Sequence, residues 1–182
     1  MLASVPGAYE PLTSPPKPAD AVRQAAQVGR DGVAFFRRAN RLASDPRVKF
    51  IFGRAAEEYE NAVKALEPVA KGKAKVPSLF PFEEYEKIEC YVCGFETTVE
   101  EIPEVCPSCS AARYAFEKEV SQGWAWDLVA RTTKDAIAFT KKAGSGVKDT
   151  KAKEALAKAA GFHKGLLAEA EEERARIEGG TP

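Results

Sequence analysis

What most constrains this chain is the placing of its cysteines. Only four occur in 182 residues, and they form two C-x2-C pairs, Cys90-Tyr91-Val92-Cys93 and Cys106-Pro107-Ser108-Cys109, with twelve residues between them. Each pair can close a tight knuckle whose sulfurs point at one centre, and two knuckles together supply four thiolates in a tetrahedron. Such a donor set suits zinc or iron. Disulfide pairing is the alternative, but clustered C-x2-C pairs in a chain without secretory signals favour metal. A dithiol redox motif would need a βαβ setting that the flanking sequence does not offer.

The segment around these pairs, residues 85–117, is too short to fold around a large core, and below ~40 residues a metal usually holds such a module together. Gly94, directly after Cys93, gives the first knuckle a residue that takes positive φ without strain. Pro107 stiffens the second knuckle. Tyr91, Phe95, Ile102, Tyr114 and Phe116 are the candidates for an apolar shell around the metal.

On either side of this module the hydrophobic period changes to that of helices. From about Ala19 to Ala43 the inward positions are Val22, Ala25, Val28, Gly32, Val33, Phe36, Ala39 and Leu42. Asp45-Pro46 is a cap followed by proline at the first helical position, and it predicts a second helix from Pro46 to about Leu66. That helix carries Phe50, Ile51, Ala55, Tyr59, Ala62, Val63 and Leu66 inward. A third helix is expected from near Glu117 to about Ala143, ended by Gly144-Ser145-Gly146. A fourth, capped by Asp149 or Thr150, is expected over 150–177. Two hairpins of amphipathic helices bury each other most simply as a four-helix bundle. Asp31–Phe36 and Asp135–Thr140 echo one another weakly, as do Ala55–Asn61 and Ala157–His163, so the hairpins read as a repeat. The predicted organisation is a Pro-rich arm at 1–18, a first hairpin at 19–70, a linker at 71–84, the cysteine module at 85–117 and a second hairpin at 118–178.

Composition excludes several classes. Lys+Arg and Asp+Glu are both 27, and a chain of zero net charge lacks the basic excess of a broad nucleic-acid-binding surface. No basic n-region precedes an apolar run at the N-terminus, and no apolar run approaches the ~18 residues of a membrane helix, so the expectation is a cytoplasmic protein. Phosphate loops, dinucleotide fingerprints and Ser-His-Asp arrangements are missing. Trp124 and Trp126 read as anchors against the module or a partner subunit.

Cys90-x-x-Cys93-Gly94-Phe95, twelve intervening residues, Cys106-Pro107-x-Cys109 and the trailing Ala111-Ala112-Arg113-Tyr114-Ala115-Phe116-Glu117 resemble the rubredoxin module of rubrerythrins. The flanking helices resemble the ferritin-like bundle of that family, over roughly residues 19–178. The order departs from the common pattern, in which the module follows the whole bundle; here it interrupts it. The fold expected is therefore mainly α, a ferritin-like four-helix bundle with an inserted rubredoxin-like β metal module. The resemblance implies one iron per chain at Cys90, Cys93, Cys106 and Cys109, carrying single electrons. Zinc satisfies the same donors and would make the module a structural or interaction knuckle. Relatives reduce peroxide at a di-iron site in the bundle, fed by a neighbouring subunit. That implies a homodimer, with hairpin exchange as one route, and a redox partner protein that the sequence does not name.

A di-iron bundle needs a Glu from each of two helices and Glu-x-x-His from each of the other two. Here the matching positions hold Gly29, Glu58 with Asn61, Thr133, and Ala160 with His163. Only Glu58 and His163 survive, and two divalent ions facing one carboxylate leave about three uncompensated charges in a core. Asp31 and Asp135 are the nearest substitutes, but the apolar period turns them away from the core. The reading is a bundle without a catalytic site, in which Glu58 and His163 form a buried hydrogen-bonded pair; a peroxide-reducing protein with unusual ligands is the alternative. The small residues at 29, 133, 160 and 161 leave either closer helix packing or a cavity.

Overall fold

The computed structural model describes residues 18–85 and 87–179, so the Pro-rich arm expected at 1–18 lies, apart from Pro18, outside the described residues. Four helices are present among them: α1, Pro18–Leu42; α2, Pro46–Leu66; α3, Gln122–Gly144; and α4, Thr150–Glu178. Between α2 and α3 sit two short strands, β1 (Lys87–Glu89) and β2 (Glu96–Thr98), with one 3-10 turn, Phe82–Tyr85, before β1 and another, Arg113–Phe116, after the second cysteine pair. The chain is mainly α, a four-helix bundle interrupted by a small β module.

The helix starts follow from local chemistry. Asp45 accepts a hydrogen bond from the Arg47 N–H at 2.8 Å, with Pro46 behind it at a position that needs no donor. Asp149 caps α4 through the Ala152 N–H at 2.8 Å, and Ser121 caps α3 through the Trp124 N–H at 3.2 Å. The third helix thus starts at Gln122, not near Glu117. The difference is tertiary: Lys118 forms a parallel bridge with Ala43, donating its N–H to the Leu42 carbonyl at 2.6 Å while its own carbonyl accepts from the Ser44 N–H at 3.1 Å. The chain stays extended until that bridge is complete.

α1 packs against α2 and α3, and α4 packs against α3 and α2. The Leu42–Lys118 bridge sets the start of α3 beside the end of α1, whereas α2 ends near the start of α1. The connection between the hairpins therefore runs the length of the bundle. Residues of this strap hold to α1 and α2 as they pass. Arg30 donates to the Gly72 carbonyl at 2.8 Å, and Phe80 and Phe82 each lie 5.5 Å, centroid to centroid, from Phe35. Phe35, outside the expected apolar stripe, is fully buried because these two rings cover it.

Phe50 corrects the reading of α2. It stands nine residues, two and a half turns, from the buried Tyr59, which puts it on the opposite face, and it is 66% exposed. Val48, Ile51, Phe52, Ala55 and Ala56 face the core in its place. Between closer packing and a cavity at the small residues, α1 gives closer packing. A Cβ on Gly29 would lie 2.6 Å from Val63 Cγ2, and one on Gly32 would overlap the Tyr59 ring and lie 2.9 Å from Phe80 Cζ. The glycines let α2 and the strap approach α1 directly.

Candidate metal centre

The two knuckles are built alike. In the first, the Gly94 N–H donates to the Cys90 carbonyl at 2.8 Å, and Gly94 has φ +75°. In the second, the Ser110 N–H donates to the Cys106 carbonyl at 2.9 Å, and Ser110 has φ +63°. Ser110 is the position the sequence hides: the turn needs left-handed backbone, but a serine carries it. β1 and β2 pair antiparallel as Lys87–Thr98, Ile88–Thr97 and Glu89–Glu96, and the Cys90 N–H continues the ladder to the Phe95 carbonyl at 2.9 Å. An isolated bridge between Val105 and Ala112 closes the second knuckle.

All four sulfurs lie within 4.8 Å of one another. Across the knuckles, Cys93 Sγ is 3.6 Å from Cys106 Sγ, and Cys90 Sγ is 3.8 Å from Cys109 Sγ. Metal–sulfur bonds of about 2.3 Å give a regular tetrahedron with edges of about 3.8 Å, so the spacing fits one metal ion at the centre. It is far longer than a disulfide bond of about 2.05 Å, and the cysteines are free. The four expected ligands come together.

The second cysteines of the two knuckles shift in opposite directions. The Phe95 N–H donates to Cys93 and pulls its thiol down to about 7. Cys109 receives the Ala111 N–H, which favours its thiolate, but burial and the neighbouring sulfurs outweigh that and push it up to about 12. Four thiolates at this spacing repel one another, and a cation removes that repulsion; metal binding and proton release are coupled here. Cys90 and Cys106 are each 1% exposed, whereas Cys93 is open to solvent and Cys109 half-buried. Ile88, Val99, Ala115 and Phe116 are the buried apolar residues of the module besides the cysteines, with Phe95 edge-on to Phe116 at 6.5 Å. Ile102 is partly buried as expected. Tyr91 and Tyr114 are not part of the shell: they are 68% and 62% exposed, because the knuckle turns outward at Tyr91 and the 3-10 turn sends Ala115 and Phe116 inward instead.

Residues 89–117 match the family model described as the rubrerythrin, rubredoxin-like domain. The segment is a rubredoxin-like domain. No curated protein and no solved structure matches the chain. The rubredoxin-like domain is fixed to the bundle by the Lys118 bridge, by an ion pair of Arg38 with Glu100 at 2.6 Å, and by Lys49 with Glu117 at 3.7 Å.

In the bundle, Glu58 and Thr133, two of the positions that the sequence resemblance pointed to, have partners of their own. Glu58 does not meet His163; its carboxylate pairs with Arg54, one turn back on α2, and Arg54 also reaches Glu169 at 3.4 Å. Thr133 Oγ1 accepts from the Tyr59 hydroxyl at 3.3 Å. Tyr59 is fully buried, which drives its phenol well above the ordinary tyrosine range, and its ring lies 4.6 Å from that of His163. His163 is 1% exposed, both ring nitrogens lack a hydrogen-bond partner, and burial pulls it down to about 4. Asp31 bonds to Gln27 at 2.8 Å, and Asp135 is exposed. Trp126 is buried and Trp124 partly so, both on the first turns of α3.

Proposed function

We propose that this metal-binding chain is a one-electron carrier whose rubredoxin-like domain holds a single iron, and that its bundle is a scaffold and docking body with no peroxide-reducing centre. The observation that carries the reading is the asymmetric exposure of a tetrahedral thiolate set: Cys90 and Cys106 buried, Cys93 at the surface. Iron held by four thiolates supplies a one-electron couple. The chain contributes what tunes and connects it. Backbone N–H groups of Phe95 and Ala111 stabilise charge on sulfur. Ile88, Val99 and Phe116 give the module a buried apolar interior. Cys93 offers a covalent path from the metal to the surface. No large rearrangement is needed, since all four sulfurs already lie within 4.8 Å of one another.

The scaffold reading of the bundle rests on charge and space. A pair of divalent ions needs several carboxylates. Around Tyr59 the core instead holds the rings of Phe36, Phe80 and His163, each against the tyrosine, with Glu58 held by Arg54. Aerobic purification followed by metal analysis and a visible spectrum tests the proposal. One iron per chain with thiolate charge-transfer colour is expected. One zinc and no colour would leave a structural knuckle, and about three irons with peroxide turnover would restore a catalytic bundle.

A further inference from the structure

Charge in this chain is sorted by place. Nine lysines and no arginine fall in two short segments, 64–75 and 141–154, against only Glu67, Asp149 and Glu154, a net +6. Residues 85–117 carry seven glutamates against one lysine and one arginine, a net −5. The fold sends these charges to opposite ends of the molecule. Arg54 meets Glu169 at 3.4 Å and the Tyr59 ring lies 4.6 Å from that of His163, so α2 and α4 run antiparallel, and the last turn of α2 lies level with the first turns of α4. A Cβ on Gly144 would lie 3.2 Å from Leu156 Cδ1, which brings the end of α3 to the same place. Gly72, between Lys71 and Lys73, is held to α1, its carbonyl accepting from Arg30 at 2.8 Å. The lysines thus gather at one end of the bundle and on the flank behind it, whereas the cysteine module joins the other end through the bridge of Lys118 with Ala43.

All nine lysines are exposed, and Lys71, Lys73, Lys75, Lys141, Lys148, Lys151 and Lys153 have no ion-pair partner among the described residues. Some of this charge works against the fold. Lys151 and Lys153 stand in the first turn of α4, which has no acidic residue, where the helix dipole disfavours cations. Folding gains nothing from them; an anionic partner would. What accompanies the charge narrows that partner's chemistry. Lysine is a point charge, and the fork with which arginine grips nucleic-acid phosphates is missing from both segments. Neither segment holds an aromatic residue on which bases could stack. The apolar side chain exposed here is aliphatic: Val69, 36% exposed, next to the exposed Pro68. Diffuse lysine charge around a small aliphatic tip suits a fluid layer of anionic headgroups. The opposite charge of the cysteine module orients the chain on such a layer, which attracts one end and repels the other.

We infer that this lysine-rich end docks on an anionic lipid surface, with Val69 toward the headgroups and the cysteine module turned away into solution. Either metal at the cysteines leaves this surface the same. The metal-loaded full chain is sedimented with vesicles of phosphatidylcholine, alone or mixed in equal parts with phosphatidylglycerol. Binding is expected to the mixed vesicles only, and to fall at least ~10-fold between ~50 mM and ~500 mM salt. The Lys71→Gln/Lys73→Gln/Lys148→Gln/Lys151→Gln variant is expected to bind at least ~10-fold more weakly at low salt. Arg41→Gln/Arg47→Gln/Arg131→Gln/Arg176→Gln changes the net charge equally, away from that end, and is expected to bind like the parent. Brominated lipid is expected to quench the added emission of Val69→Trp and to spare Trp124 and Trp126 at the far end; equal quenching of all three would overturn the orientation. No binding to the mixed vesicles at low salt, or equal binding by the lysine and arginine variants, would overturn the docking surface. Tighter binding to duplex DNA or single-stranded RNA than to vesicles, lost in the lysine variant, would overturn it in favour of a nucleic acid. Low-salt self-association that the lysine variant abolishes would overturn it in favour of a second copy of this chain.

Discussion

Replacing His163 by leucine isolates one buried group whose chemistry the fold leaves unsatisfied. The ring is 1% exposed, its Nδ1 and Nε2 have no partner, and burial alone lowers it from 6.5 to about 4. A group whose folded pKa lies below its unfolded value binds fewer protons when folded. Stability is then full above pH ~6.5 and is lost as pH falls through ~4. The difference of roughly 2.5 units corresponds to about 3 kcal/mol. Leucine has similar volume and no polar atoms, so His163→Leu also removes the penalty of unmet nitrogens, about 1–3 kcal/mol, offset by the lost ring contact with Tyr59, about 1 kcal/mol. At pH 7 the variant is expected to be as stable as the parent or up to ~2 kcal/mol more so. At pH 4 its advantage should have grown by about 3 kcal/mol. Urea unfolding followed by helical circular dichroism, at steps between pH 7.5 and 4, measures both. Metal loss from the thiolates in acid affects both proteins alike and cancels in the difference. Parallel loss of stability in parent and variant would refute the reasoning, since it would mean that the ring has a partner or reaches water.

Four further outcomes follow from single contacts. Ser110→Gly should raise the melting temperature of the metal-loaded protein, because it relieves a φ of +63° worth about 1 kcal/mol. Gly32→Ala should destabilise the bundle by at least ~1–3 kcal/mol in urea unfolding, since its Cβ overlaps the Tyr59 ring. Glu89→Gln should stabilise the rubredoxin-like domain by roughly 0.2–1 kcal/mol in hydrogen exchange of the β1–β2 amides, by removing the repulsion from Glu96. Cys106→Ser should lose the metal by elemental analysis and unfold residues 85–117, while helical circular dichroism largely remains; loss of all helicity would show that the module organises the bundle.

What the sequence makes legible is what local chemistry decides. Asp45-Pro46, Asp149 and the Gly144–Gly146 break place helix ends because capping and backbone freedom act within a few residues. The four cysteines announce their site because C-x2-C geometry is local as well. Readings fail where a distant or competing contact wins. The start of α3 is delayed by the bridge from Lys118 to Ala43, 75 positions apart in sequence and invisible to periodicity. Phe35 is buried by rings from the strap, and Phe50 sits outside because helix phase overrides hydrophobicity. The expected Glu58–His163 pair is pre-empted by Arg54, a competitor one turn away on the same helix. Two further features are legible in the sequence once the knuckles are aligned and the charge is counted by segment. Ser110 occupies the place that matches Gly94 in the second knuckle, and the zero net charge of the whole chain conceals an acidic module and a basic remainder.

The central claim, a one-electron iron centre at Cys90, Cys93, Cys106 and Cys109, is tested most directly by an anaerobic redox titration of the purified chain. The account predicts one reversible electron per chain, with thiolate colour bleached on reduction and restored on oxidation. A chain that binds its metal in full at these cysteines yet takes up no electron, with one zinc in place of iron, would contradict it.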